Sequence, residues 1–504
     1  MKTETSAQEA PVSYSCSLCS AYTFCAVVDS ICPPCGKDIN ITPNINVSYI
    51  CLHNKIFEEL IMEAKEYKGL WWKPSDEQHK VAGILTYLPS EEFKLELIGS
   101  FKTEEEDPIL KVFRYSKIEP VIHGQTSDGS DISLFECGCS MSYNGKADFI
   151  TSIYTARVIA IGRHINSLEE SAFNKATVKI PELSYWLYPA IVKSVYHETE
   201  NGREVMVKME SLPDNEREVG KVIISKTLSM YLCRDASYSS GNLLFKPSFE
   251  QYTTLKIESK VGMSLVDFYK LAVRYERFLS FATFREVGFS ELQLFSDDNY
   301  VLSGEKKIYK PIIVDTRFHA KPNNKKIEIH KFVFTYDKIK DKYPMAIKKW
   351  FANDSKFDAI RSHFLDSIDY HGPFSYINFL VVIQAIEGFG RRYMKRQIAA
   401  YKSTLPKDRK VRTLFEYVSA IFANYSDVTC IKQDVNIDAI TETRNYHSHL
   451  LPQRTKNVVD EIELYNLTEE LRKLLICCIM TYMGFSNNEI DNLTSSSGCN
   501  LFQP

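Results

Sequence analysis

The chain has 504 residues, more than a single compact core usually organises, so two or three domains are expected. Apolar content of 44% beside 25% charged residues excludes a disordered chain, and a net charge of -3 excludes whole-chain attraction to nucleic acid or an anionic membrane. Any such attraction has to come from a local patch.

The first stretch, residues 1–48, is cysteine-rich and short of aliphatic residues. Its polar start, MKTETSAQEAPVSYS, lacks the basic and apolar regions of a secretory leader. The 13 cysteines of so long a chain are therefore expected as reduced thiols in the cytoplasm, with metal binding where they cluster. Cys16-x-x-Cys19 and Cys32-x-x-Cys35 are two such pairs, twelve residues apart. Four thiolates at this spacing suit one structural Zn²⁺, whose binding would supply the folding energy that a small segment lacks. A redox CxxC would want a βαβ setting, which is absent. Four cysteines leave no open coordination position, so no catalysis is expected from this metal.

Residues 49–325 alternate apolar and polar side chains with period two, as half-buried strands do. Phe93, Leu95 and Leu97 alternate with charges, and so do Val205, Val207 and Met209. Asp128-Gly129 and Asn201-Gly202 supply the positive φ of tight hairpin turns. The section predicts a mostly antiparallel, sandwich-like sheet. Ser264 and Asp267 read as a capping box for a helix with an apolar stripe at Leu265, Phe268, Leu271, Tyr275 and Phe278. Trp71-Trp72 and His123 read as sheet core and a structural histidine.

From residue 343 the period is helical throughout, which predicts an all-α bundle over 343–490. YINFLVVIQAIEGFGRRYMKRQIAAYK reads as one long helix. The run LLICCIMTYMGF is too short to span a bilayer and reads as buried helix. Residues 491–504 read as a flexible polar tail. The whole is an α+β multidomain chain: zinc module, β-rich domain, helical domain.

Within the helical part, IDAITETRNYHSHLLPQR holds Arg444, Asn445, His447 and His449 ahead of Pro452, which should end a helix. Taken alone, these residues equally suit helix-end charges meeting the macrodipole. Between Arg391 and Arg412 a basic excess that includes Arg391, Arg392, Lys395 and Arg396 faces one acid, Asp408. It suits an RNA cleft or a solvated helix face.

The string TRNYHSH, with Arg444, four residues, then His449, resembles the ApeA-type HEPN ribonucleases of bacterial anti-phage defence. LVVIQAIEGFGRRY, with Glu387 at the recurrent acidic position, resembles the same branch. VIHGQTSDGSDISLFEC, PELSYWL and the FLSFATF helix are similar to the ApeA N-terminal domain. The resemblance covers most of residues 50–490 and leaves the cysteine segment unexplained. It implies a metal-independent endoribonuclease acting in abortive infection, in which the RNA 2′-hydroxyl attacks tRNA or mRNA phosphates and leaves 2′,3′-cyclic phosphate and 5′-hydroxyl ends. In such chemistry a histidine moves protons near neutral pH and an arginine holds the transition-state charge. Arg444, Asn445 and His449 are the implied catalytic set, supported by His447 and by Glu387 as an ion-pair partner of Arg444. An ideal helix puts His447, not His449, on the face of Arg444. The family pattern favours His449. The implied partners are RNA, a second copy or higher homo-oligomer, and a phage-derived trigger, with no membrane. The alternative is a non-catalytic HEPN scaffold that dimerises and binds RNA.

Overall fold

The computed structural model describes residues 65–89, 91–101, 118–142, 151–188, 191–199, 202–209, 212–239, 248–317, 326–369, 375–406 and 413–496. Cys16, Cys19, Cys32 and Cys35 lie outside the described residues. The chain divides into Met1–Glu63 and Ala64–Pro504, and the second unit is described here.

Its β-rich half runs β1 (Lys65–Trp72), β2 (Val81–Leu88), β3 (Glu92–Ile98), β4 (Ile118–Thr126), β5 (Asp131–Ser142), β6 (Thr151–Thr155), β7 (Val158–Ile161), β8 (Phe173–Lys179), β9 (Val192–Thr199), β10 (Gly202–Met209), β11 (Glu218–Ile223), β12 (Leu228–Ser239), β13 (Ser248–Met263), β14 (Glu291–Phe295), β15 (Tyr300–Ser303), β16 (Lys306–Tyr309) and β17 (Ile312–Thr316). Both expected hairpins form: Gln125 pairs with Asp131 around Gly129, whose φ is +83°, and Thr199 pairs with Gly202. Among the described residues, thirteen strands join in one sheet, ordered β11-β12-β13-β8-β14-β17-β7-β5-β4-β1-β2-β3-β6.

The expected sandwich is corrected here: β6 also pairs with β5, so β5-β4-β1-β2-β3-β6 closes into a barrel, and the other strands continue as an open sheet. The branch point is visible in the backbone. The first half of β5 pairs with β7 and the second half with β6, and between them Glu136 takes a left-handed φ of +53°. Closure removes exposed strand edges at that end. The barrel has its own interior, with Trp71, Phe93, Leu95 and Leu97 fully buried. Gly124 lies against the Trp71 ring, where any Cβ would clash. Alternation along each strand was legible locally, whereas closure depends on a bend that alternation does not encode.

Helices α1 (Pro181–Trp186) and α2 (Asp214–Arg217) are short; α3 (Leu265–Thr283) covers the open sheet. Its capping box is present, with Asp267 N–H donating to Ser264 Oγ at 3.1 Å and Ser264 N–H to Asp267 Oδ2 at 3.3 Å. The remaining helices are α4 (Tyr336–Ile339), α5 (Tyr343–Trp350), α6 (Ser355–Asp369), α7 (Tyr376–Tyr393), α8 (Lys395–Ser403), α9 (Thr413–Asn424), α10 (Ile437–His449), α11 (Glu461–Met483) and α12 (Asn487–Ser496).

One apolar core runs through both halves. Trp186 Nε1 donates to Phe334 O at 2.8 Å, and the Tyr275 and Tyr343 hydroxyls meet at 3.1 Å, so α4 and α5 pack with the β-rich half. The junction is knotted around Trp350. Its Nε1 donates to Arg274 O at 2.9 Å, and its own carbonyl accepts from Arg274 and from Arg361 at 3.2 and 2.8 Å. Burial lowers the Arg361 guanidinium to about 10.

The long helix expected around YINFLVVIQAIEGFGRRYMKRQIAAYK is two helices, broken at Met394. Gly390 permits the turn: a Cβ there would lie 3.0 Å from Ile421 and 3.3 Å from Ile398, so α8 and α9 pack directly on the α7 backbone. Residues 491–496, assigned by composition to the tail, belong to α12, whose Ile490 and Leu493 are buried. The run LLICCIM is buried in α11, and Gly484 ends that helix at φ +99°. No described helix is long and apolar enough to cross a membrane.

One buried acid sets a pH-dependent stability. Glu276 accepts the Phe289 N–H at 3.3 Å, and burial pushes its carboxyl from 4.5 up to about 8. The folded state therefore holds a proton that the unfolded state releases. That stabilisation is complete below about pH 4.5 and is lost as pH rises through about 8. Glu276→Gln, which cannot ionise, is expected to gain urea resistance relative to the native chain between pH 5 and 9. Parallel pH profiles for the two proteins would contradict this.

Candidate active site

Two helices set out the site. Helix α7 starts at Ser375, whose side chain accepts from Asn378 N–H, and buries Phe379, Val382, Ile383, Ile386 and Phe389. Its other face carries Leu380, Gln384, Glu387, Gly388 and Arg391 at helical spacing, and all five line a cleft of about 740 Å³. Helix α10 starts at Asn436, which accepts from Ala439 N–H at 3.0 Å, and buries Ile440 and Thr443. That leaves Arg444, His447 and Ser448 facing the cleft. The segment after α10 is pinned back on the helix: Val459 N–H donates to Thr443 Oγ1 at 3.0 Å, and Asn457 donates to Glu442 at 2.9 Å. Helix α6 closes the third side through Ala359, Ile360 and His363.

Arg444 is the hub. One guanidinium nitrogen donates to Asn445 Oδ1 at 3.2 Å and to His449 Nε2 at 3.4 Å; the other donates to Glu387 Oε2 at 3.3 Å. Glu387 spends its second oxygen on Arg391, one turn along α7. The expected Glu387–Arg444 ion pair is thus present, and Glu387 clamps two guanidiniums rather than one. Its side chain is 12% exposed, which screens the pair from water more than a surface bridge would be.

The two histidines take different positions. His447 stacks on Tyr376 with centroids 4.8 Å apart and rings 3° from parallel, and its Nε2 is buried with no hydrogen-bond partner among the described residues. Burial lowers its pKa, and the charge of Arg454 lowers it further. His449 is exposed at the last turn of α10 and reaches Arg444 although it stands five residues away. The helix does not loosen to allow this: it continues through His449 and stops only at Leu450, with φ +49°. The length of the arginine side chain closes the gap instead.

Of the basic residues, Arg391 and Arg392 line the cleft, and Arg392 Nη1 also donates to Lys356 O at 2.9 Å. Lys395 and Arg396 are exposed on the first turn of α8 and are not among the cleft residues. Sequence reading missed Tyr376, Gln384 and His363, which come together only through packing. The i, i+4 spacing of Glu387 and Arg391 was the one available signal for the double clamp.

The family model for ApeA N-terminal domain 1 matches residues 66–350, and that for Apea-like HEPN matches residues 380–489. No curated protein and no solved structure gives a significant match. The first match ends at Trp350, at the junction described above, and the second takes in Glu387, Arg444 and His449. HEPN domains of this kind are generally ribonucleases of defence systems, and they commonly dimerise. The chain is a member of the ApeA-type HEPN family, with an ApeA-like N-terminal domain followed by an Apea-like HEPN domain.

Proposed function

We propose that the chain is an anti-phage endoribonuclease that needs no metal for the chemical step. The supporting observation is Arg444, bonded at once to Glu387, Asn445 and His449 beside a cleft that can admit a nucleotide. RNA carries its own nucleophile. His449 would take the 2′-hydroxyl proton as the 2′-oxygen bonds to phosphorus, while Arg444 holds the extra charge on the phosphoryl oxygens. The bond to the 5′-oxygen then breaks, and that oxygen takes a proton from water. The ends are a 2′,3′-cyclic phosphate and a 5′-hydroxyl. His447, Asn445 and Arg392 supply further contacts to the phosphate, and Lys395 and Arg396 extend the basic track for a longer RNA.

A homodimer fits the surface around His449. Leu450 is 86% exposed, and Leu451, Tyr376 and Ile377 are exposed beside it. Solvated apolar side chains crowded round a reactive histidine favour burial against a second copy. A phage-derived trigger, acting in the cytoplasm through the N-terminal domain, would set the timing.

Incubation with total RNA in EDTA is expected to give fragments bearing cyclic phosphates. Binding without cleavage at stoichiometric protein would favour the scaffold reading, and loss of cleavage in EDTA with recovery in Mg²⁺ would overturn the mechanism. For the N-terminal cysteines, elemental analysis is expected to find one structural zinc per chain. Unchanged zinc in a Cys32→Ser/Cys35→Ser variant would exclude that site.

A further inference from the structure

The cleft offers more than a phosphate requires. Its volume of about 740 Å³ lies among pockets that enclose whole organic ligands, roughly 300–1,000 Å³. Its chemistry is also uneven. The guanidiniums of Arg391 and Arg392 stand at the C-terminal end of the α7 face, whereas Leu380 and Gln384 stand toward the N-terminal end. Helix α6 runs antiparallel alongside: Lys356 O meets Arg392, and Ile360 lies 3.9 Å from where a Cβ on Gly388 would sit. His363, one turn further along α6, therefore falls on the Gln384 side. This part of the cleft combines apolar Ala359, Ile360 and Leu380 with two hydrogen-bonding side chains, Gln384 and His363. Neither Gln384 nor His363 makes a side-chain hydrogen bond among the described residues.

We infer that this region is a nucleobase subsite, taking the base of an RNA nucleotide next to the phosphate held by Arg444. The inference rests on the ribonuclease reading and names what lies beside the scissile bond. A base needs a flat apolar wall and groups that read its edge, and single-stranded RNA presents both face and edge once it is unstacked. Ile360 and Leu380 supply the wall. The Gln384 amide sets a donor beside an acceptor, the complement of the N6–H and N7 edge of adenine, where guanine offers two acceptors and the pyrimidines no such pair, and the His363 ring adds a third contact. Three residues of helix separate Gln384 from Glu387, the partner of Arg444, and seven separate it from Arg391, roughly 5 and 10 Å along the axis. Those separations suit a phosphate at the arginines and a base edge at Gln384. Another phosphate or a carboxylate would find no arginine or lysine on the Gln384 side. The preferred base is adenine.

The test uses the full-length protein and has two arms. In the first, calorimetry compares adenosine 3′-monophosphate, the other three nucleoside 3′-monophosphates and ribose 5-phosphate. The adenine nucleotide is expected to bind at least about tenfold more tightly than ribose 5-phosphate. Gln384→Ala and His363→Ala are each expected to shrink that advantage severalfold. Gln384 is exposed, so its truncation does not threaten the fold. In the second arm, cleavage sites are mapped on RNA of randomised sequence. The native protein is expected to favour adenine at one position beside the cut, and Gln384→Ala to level the four bases there. Nucleotides binding no better than ribose 5-phosphate, or a preference untouched in both variants, would overturn the subsite. Base-dependent binding without any cleavage would sink the ribonuclease reading and leave the subsite standing; cleavage with no base dependence would do the reverse.

Discussion

Arg444→Ala is expected to lower the rate of RNA cleavage on the order of 10²–10³-fold without lowering the melting temperature appreciably. The side chain is 27% exposed and contributes little to the core, so the loss should be chemical. Two functions go at once. The fixed positive charge that opposes charge on the phosphoryl oxygens disappears, and His449 loses the donor that holds its Nε2 at 3.4 Å. Arg444→Lys should recover little, because one ammonium cannot reproduce a planar fork that serves Glu387 through one nitrogen and Asn445 and His449 through the other. His449→Ala should cost about as much as Arg444→Ala. His447→Ala should be milder, since its ring is held against Tyr376 and does not reach Arg444. Initial rates on a defined RNA, read beside thermal melts, separate these cases. A near-native rate for Arg444→Ala would remove the mechanism. A dead His447→Ala beside an active His449→Ala would move the proton-transfer role to His447 and leave the rest intact.

Glu387→Gln is expected to reduce kcat on the order of 10²-fold while KM for RNA stays level or falls. Glu387 touches no part of the proposed reaction directly; it positions Arg444 and Arg391. Its amide analogue keeps the shape but releases both guanidiniums from their shared counter-charge. The cleft then becomes more positive, which strengthens phosphate attraction and steepens its salt dependence. Arg444, no longer held, spends less time in the orientation the transition state needs. A structural defect would also lower kcat at unchanged KM, because unfolding only lowers the active fraction, so the steeper salt dependence, with any fall in KM, is what marks the positioning role. A variant with intact kcat and raised KM would show that Glu387 serves binding alone.

Features set by local chemistry were legible in the residues. The Asp128-Gly129 and Asn201-Gly202 hairpins, the Ser264–Asp267 capping box and the change from period-two to helical patterning all appear where the residues place them. Each depends on neighbours a few positions apart, so each is written in a short window. Arg444 and His449 were legible for the same reason, as was their partner Glu387 through the family resemblance. The remaining features arise from long-range packing. Barrel closure required Glu136 to bend β5 so that one strand could serve two partners. The break at Met394 required Ile398 and Ile421 to meet Gly390. The site itself joins Glu387 to Arg444 across 57 positions and adds Tyr376, Gln384 and His363 from helices whose sequences carry no mark of it. Periodicity tells which face of a helix is buried, but not which other helix will face the side left open. That is settled when the shared core packs, and the packing brings α6, α7 and α10 around one cleft.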